Sequence, residues 1–158
     1  DGPIYMRFGR LAVPVVNDPE GFEFQIGKGI LMREGTDVTI VACGLMVQAA
    51  LEAAEALAAK GVSAEVIDMH TVKPLDEELL VASAKKTGRV VTCEEHSVIG
   101  GLGSAVCDAL AEACPVPVRK VGVNDVFGES GPAVDLLAKY GLDANAIAAK
   151  VRETIAKK

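Results

Sequence analysis

Tryptophan is absent, and aromatic residues make up only 4% of the chain. A core must therefore be built from Ala, Val, Leu and Ile. That suits helices packed on a Val/Ile-rich sheet better than an aromatic-rich β-sandwich. No block of Lys and Arg stands out against a formal net charge of -6. Nucleic acid is not an expected partner, because phosphate neutralisation needs a clustered basic face. No apolar run is long enough to span a bilayer, and no stretch reads as a signal peptide; no membrane association and a cytoplasmic location are expected. The four cysteines, Cys43, Cys93, Cys107 and Cys114, have no CxxC spacing. Each sits in or beside an apolar run and reads as a small buried hydrophobe in a reducing compartment. Only two histidines occur, His70 and His96, and no Cys or His spacing supports a metal site.

What is present is a long α/β alternation. The 158 residues suit one domain with a real core. Gly2 to Phe8 reads as a short strand, with Ile4, Met6 and Phe8 on one face and Tyr5 and Arg7 on the other. A stretch punctuated by Pro14, Asn17, Asp18, Pro19 and Gly21 follows. This opening resembles the end of one domain and a linker, and the chain begins at Asp1 rather than Met; both suggest a section of something longer. Lys28–Glu34 and Asp37–Cys43 read as strands joined by a Gly35-Thr36 turn. Their short connection predicts antiparallel pairing, with the first at the sheet edge. Leu45–Lys60 has helical periodicity and stops at Gly61. Ser63–Met69 is a strand. Pro74-Leu75-Asp76 opens a helix through Lys86, acidic at its start, basic at its end and closed by Gly88. Val90–Thr92 is a strand, followed by a polar, glycine-containing turn and a helix from Ser104 to about Ala113. Pro117–Val123 is a strand. A short helix ends near Tyr140, and Asp143 caps a last helix, Ala144–Lys157. The sum is a three-layer α/β fold: a mostly parallel five-stranded sheet with one antiparallel edge strand.

Ligands of open α/β sheets meet the turns after the strands' carboxyl ends. Gly100, Gly101 and Gly103, after a strand and before a helix, therefore draw attention. Gly101-x-Gly103 resembles part of a dinucleotide fingerprint, but Val106 stands where its third Gly or Ala belongs, and the strand comes late in order. Such a helix start could also take a partner's carboxylate, or the glycines could simply permit a tight turn. His96, beside Glu94 and Glu95, could be a base or ligand; a polar rim contacting another domain or subunit is the plainer reading. No serine sits in a G-x-S-x-G elbow, and no cysteine has an evident activating site. Arg7 could fork onto phosphate or carboxylate, or form an interdomain ion pair.

The segments GPIYMRFGR, DMHTVKPLD, CEEHSVIGGLGSAV, GVNDVFGESG and KYGLDANAI, taken in order, resemble the carboxyl-terminal section of a transketolase of the split, two-subunit type. The equivalent domains of deoxyxylulose-phosphate synthase and of 2-oxo-acid dehydrogenase beta subunits are close alternatives, and GESG before KYGL favours transketolase. A free-standing nucleotide- or regulator-binding α/β module is a further alternative. The resemblance implies that residues 1–9 are the last strand of a preceding pyrimidine-binding domain, 10–27 a linker, and 28–158 the C-terminal domain. It implies transfer of a two-carbon ketol unit between sugar phosphates, with the C-terminal domain as scaffold and dimer-interface element. Thiamine diphosphate and a divalent metal are implied for the full enzyme, held by upstream domains or a partner subunit and not by this chain alone, which should be inactive by itself; a homodimer is implied. No catalytic or metal-binding residue is carried over to this chain. Arg7 matches the family's arginine that binds the sugar phosphate, although Met6 stands where Ser is usual. His96, Gly100, Gly101 and Gly103 match family motifs and are expected at an interface or site rim.

Overall fold

The structure, a computed structural model, describes residues 2–156. Asp1, Lys157 and Lys158, which end the first and last expected segments, lie outside the described residues. In chain order the elements are β1 (Ile30–Arg33), β2 (Val38–Ala42), α1 (Met46–Ala58), β3 (Ala64–Asp68), α2 (Glu77–Thr87), β4 (Val90–Ser97), α3 (Leu102–Ala113), β5 (Val118–Val123), α4 (Ala133–Lys139) and α5 (Ala144–Ala156). The sheet order is β1-β3-β2-β4-β5. β2, β3, β4 and β5 run parallel, and β1 is antiparallel.

Two apolar layers flank the sheet. One packs Val47, Ala50, Ala54 and Leu57 of α1 and Ile147 and Val151 of α5 against Val38, Ile40 and Val66. The other packs Leu80 and Ala84 of α2 and Val106 and Leu110 of α3 against Val41, Ile67 and Val90. Strand alternation sends neighbouring residues to opposite layers, so central strands carry apolar side chains on both faces. Each fully buried Leu or Val here is worth about 1.5–3 kcal/mol.

Local signals set the helix ends. Asp76 caps α2 by accepting the Leu79 N–H at 3.1 Å, and Gly88 ends it in a left-handed conformation at φ 72°. Glu77 and Glu78 in its first turn and Lys85 and Lys86 in its last complement the helix dipole. Asp143 likewise accepts the Ala146 N–H at 2.8 Å.

Several expectations are corrected. β1 is antiparallel and at the edge, but its partner is β3 and not β2. Both edges of β2 are taken by its parallel neighbours. Gly35 is therefore no hairpin turn. It is the place where the chain crosses the start of β3, and a Cβ there would fall on the Ala64–Glu65 backbone. Thr36 and Asp37 both donate their N–H to Ser63 O, at 3.1 and 2.8 Å. Residues 2–8 form no strand with the other described residues of this chain. β4 continues through Glu94, Glu95 and His96 to Ser97 with a register shift after Cys93, where a turn was expected. α3 begins at Leu102, two residues before the expected Ser104.

Candidate functional site

The carboxyl ends of the parallel strands form one rim. Here β4 ends, the glycine turn follows, and α3 begins. Glu94 is 2% exposed. Its two carboxylate oxygens accept the N–H groups of Leu102 (2.7 Å) and Gly103 (2.8 Å). These donors belong to the first turn of α3, which has no intrahelical partner for them. A negative group at this positive end is held by charge-assisted bonds and by the helix dipole. The glycines make room for it. A Cβ at Gly101 would fall on the Glu94 carboxylate, and one at Gly103 would sit 2.8 Å from Thr92 Oγ1. Gly100, at φ 77°, supplies a left-handed turn. The loop is tied further by Gly100 N–H to Ser104 Oγ (2.9 Å) and by Lys120 Nζ, which donates to Val98 O (3.0 Å) and Ser104 Oγ (3.3 Å).

The nucleotide reading of the glycine turn does not survive this geometry. The helix start that would receive a phosphate holds the chain's own carboxylate. Along the sequence Glu94 reads only as half of an acidic pair. Its separation from Leu102 matches no local capping spacing, so no local signal marks it.

His96 is half-exposed beside this turn. Its Nδ1–H donates to the Ser97 carbonyl at 2.9 Å, and Nδ1 lies 3.8 Å from Glu94 Oε2. His70 lies past the end of β3, with Nδ1 3.1 Å from Thr71 Oγ1. β2 separates β3 from β4, a spacing of about 10 Å between their axes. The two histidines thus have different partners. Among the described residues no group of three or more His, Cys, Asp or Glu could hold a metal ion.

Arg7 is half-exposed, with Nη2 3.7 Å from Glu95 Oε2. An exposed pair of this kind contributes about 0–1 kcal/mol, so the guanidinium is not committed to it. Arg7 and Glu95 line a cavity of about 630 Å³ between residues 7–11 and the body, walled by Leu45, Leu137, Tyr140 and Leu142.

The cysteines are free thiols. Burial pushes the Cys43 thiol up to about 12, helped by Glu94 and Asp68. Burial raises Cys93 as well. Cys93 packs in the α1/α5 layer and Cys43 against the α2/α3 layer, on opposite faces of the sheet. Neither is an activated nucleophile.

Fold and rim together define a doubly wound α/β domain whose strand-end site is filled by its own side chains. The chain belongs to the transketolase family: the family model "Transketolase, C-terminal domain" matches residues 27–147. It is 54% identical over its whole length to 49% of the 6-deoxy-6-sulfo-D-fructose transketolase subunit SqwH of Clostridium sp. (strain MSTE9). It is 43% identical over 98% of its length to 49% of one subunit of the apulose-4-phosphate transketolase of Phocaeicola vulgatus. A solved structure described as "Split gene transketolase, inactive beta4 tetramer" superposes with a TM-score of 0.93 at 57% identity, over 98% of this chain and 50% of that one. The chain thus spans about half the length of these relatives. Among the described residues no helix is long and apolar enough to cross a membrane.

Proposed function

We propose that this chain is the scaffold and interface part of a transketolase that moves a two-carbon ketol unit between sugar phosphates. What supports this reading is the match to the transketolase C-terminal domain and to about half the length of relatives named as transketolase subunits. Glu94 fills the start of α3, and among the described residues no group of three or more His, Cys, Asp or Glu could hold a metal ion. In this reading the chain itself holds neither thiamine diphosphate nor its divalent metal. Both belong, in this reading, to upstream pyrimidine- and diphosphate-binding domains or to a partner subunit, within a cytoplasmic homodimer.

Residues 1–9 act in this reading as the last strand of the preceding domain, 10–27 as linker, and 28–158 as the C-terminal domain. Ile4, Tyr5, Met6 and Phe8 support it, since they are between 66% and 88% exposed and apolar surface of this kind seeks a partner. Arg7 is the contact to the substrate phosphate. His96, Gly100, Gly101 and Gly103 form a rim facing another domain or subunit, with Ile99 62% exposed among them.

The test assays ketol transfer with thiamine diphosphate and a divalent metal, first with this chain alone and then with the upstream half of the subunit and the partner subunit added. Activity is expected only in the mixture, and there Arg7→Ala raises KM for the sugar phosphate. Ketol transfer by the chain alone overturns the proposal.

A further inference from the structure

Residues 16–29 contain no helix or strand, yet they are tied to the body at successive points. Val16 packs against the α1/α5 layer. Asn17 faces Asp68 and pulls its pKa down against the effect of burial. The Phe24 ring lies 4.8 Å from the His70 ring, tilted by 36°. Gly27 donates its N–H to Thr71 Oγ1 at 3.3 Å, and Gly29 donates to Asp76 Oδ2 at 3.0 Å. Lys28 Nζ lies 3.5 Å from Glu78 and 3.9 Å from Asp76. After Val16, every one of these partners lies between Asp68 and Glu78, at the end of β3, in the β3–α2 connection or at the start of α2.

The path is also sterically specific. Gly27 has φ 81°, and a Cβ there would stand 2.9 Å from Pro74 Cγ. Only glycine passes Pro74 this closely in this conformation. His70 and Thr71 are coupled, because the hydroxyl that takes the Gly27 N–H also bonds His70 Nδ1 at 3.1 Å. A ring stack, a hydroxyl and a strap amide thus form one connected unit.

We propose that the β3–α2 connection is a clamp for residues 16–29. His70 and Thr71 are positioning residues in it: they fix the path by which the segment bearing Arg7 leaves the body. The Arg7–Glu95 ion pair between that segment and the body is too exposed to set its course. The clamp stands on its own contacts; its consequence for Arg7 rests on the reading of Arg7 as the phosphate contact.

Hydrogen exchange and chymotryptic cleavage at Phe22 and Phe24 test the clamp on this chain. His70→Ala is expected to speed exchange of amides 17–29 by about five- to tenfold, as loss of an aromatic stack implies, with β2 and β4 unchanged. His70→Phe keeps a ring against Phe24 and stays within about twofold of the parent. An unchanged strap in His70→Ala, or an equal rise throughout β2 and β4, overturns the clamp. In the assembled enzyme, His70→Ala should raise KM for the sugar phosphate with its melting midpoint unmoved. A released strap with unchanged KM overturns the positioning role. An assembled parent enzyme without ketol transfer counts against the proposed function and leaves the exchange result on the clamp standing.

Discussion

Replacing Glu94 by Ala should be among the most damaging single changes in this chain. The substitution removes two charge-assisted hydrogen bonds, at 2.7 and 2.8 Å, from a carboxylate that is 2% exposed. Bonds to charged groups contribute about 1.5–3 kcal/mol each, and the abandoned Leu102 and Gly103 N–H groups cost a similar amount if left buried. Water can enter a rim more easily than a core, so the expected loss is about 3–5 kcal/mol. For a chain of this size, that lowers the melting temperature by about 6–20 °C. Glu94→Gln keeps one acceptor oxygen and should lose about half as much. Urea unfolding followed by circular dichroism measures the difference, with the midpoint falling and the slope m unchanged. Exchange at the Leu102 and Gly103 amides should rise ahead of the rest of α3. The reasoning is refuted if Glu94→Ala stays within about 1 kcal/mol of the parent. Equal losses in the Ala and Gln variants also refute it, because filled volume rather than an acceptor would then be the cause.

Glu65 is fully buried in β3, accepts from Thr39 Oγ1 and pairs with Lys86, which also reaches Glu34 at 2.8 Å. Lys86→Met should cost about 1–3 kcal/mol, less than for a fully buried pair because Lys86 is 39% exposed. Hydrogen bonds to Glu34 and Glu65 raise the Lys86 pKa above 10.5. Its contribution is therefore complete below pH 10.5 and is lost as pH climbs through the folded value; melting scans from pH 9 upward should show this loss in the parent and not in the variant. Burial raises the Asp68 pKa above 3.8, against the opposing pull of His70 and Asn17. Its charged form thus costs stability at neutral pH, a cost relieved as pH falls towards 3.8; Asp68→Asn should melt higher than the parent at pH 7 and lose that advantage below pH 3.8. Thiol labelling at pH 8 should modify Cys107 and Cys114 first. Cys43, held at about 12, and the buried Cys93 should react only on unfolding, as peptide mapping would show.

The helix ends were legible because their causes are local. Gly88 and Gly61 sit at positive φ, and Asp76 and Asp143 accept N–H groups three residues away. The central strands were legible because Val and Ile runs with polar breaks define a sheet buried on both faces. The site was less so. Gly100, Gly101 and Gly103 invite a phosphate when read along the chain, and only the fold shows that Glu94 occupies the place.

By itself the sequence determined the order of elements, the mainly parallel sheet and the family, since periodicity, caps and ordered motifs are carried within a few residues. Tertiary structure alone decided that β1 crosses to β3, that Glu94 closes α3, that Lys86 reaches the buried Glu65, and that residues 16–29 lie clamped on the β3–α2 connection. Each of these joins groups brought together by the path of the chain. The free energy of such a contact depends on burial and distance in the folded state, which no spacing along the sequence contains.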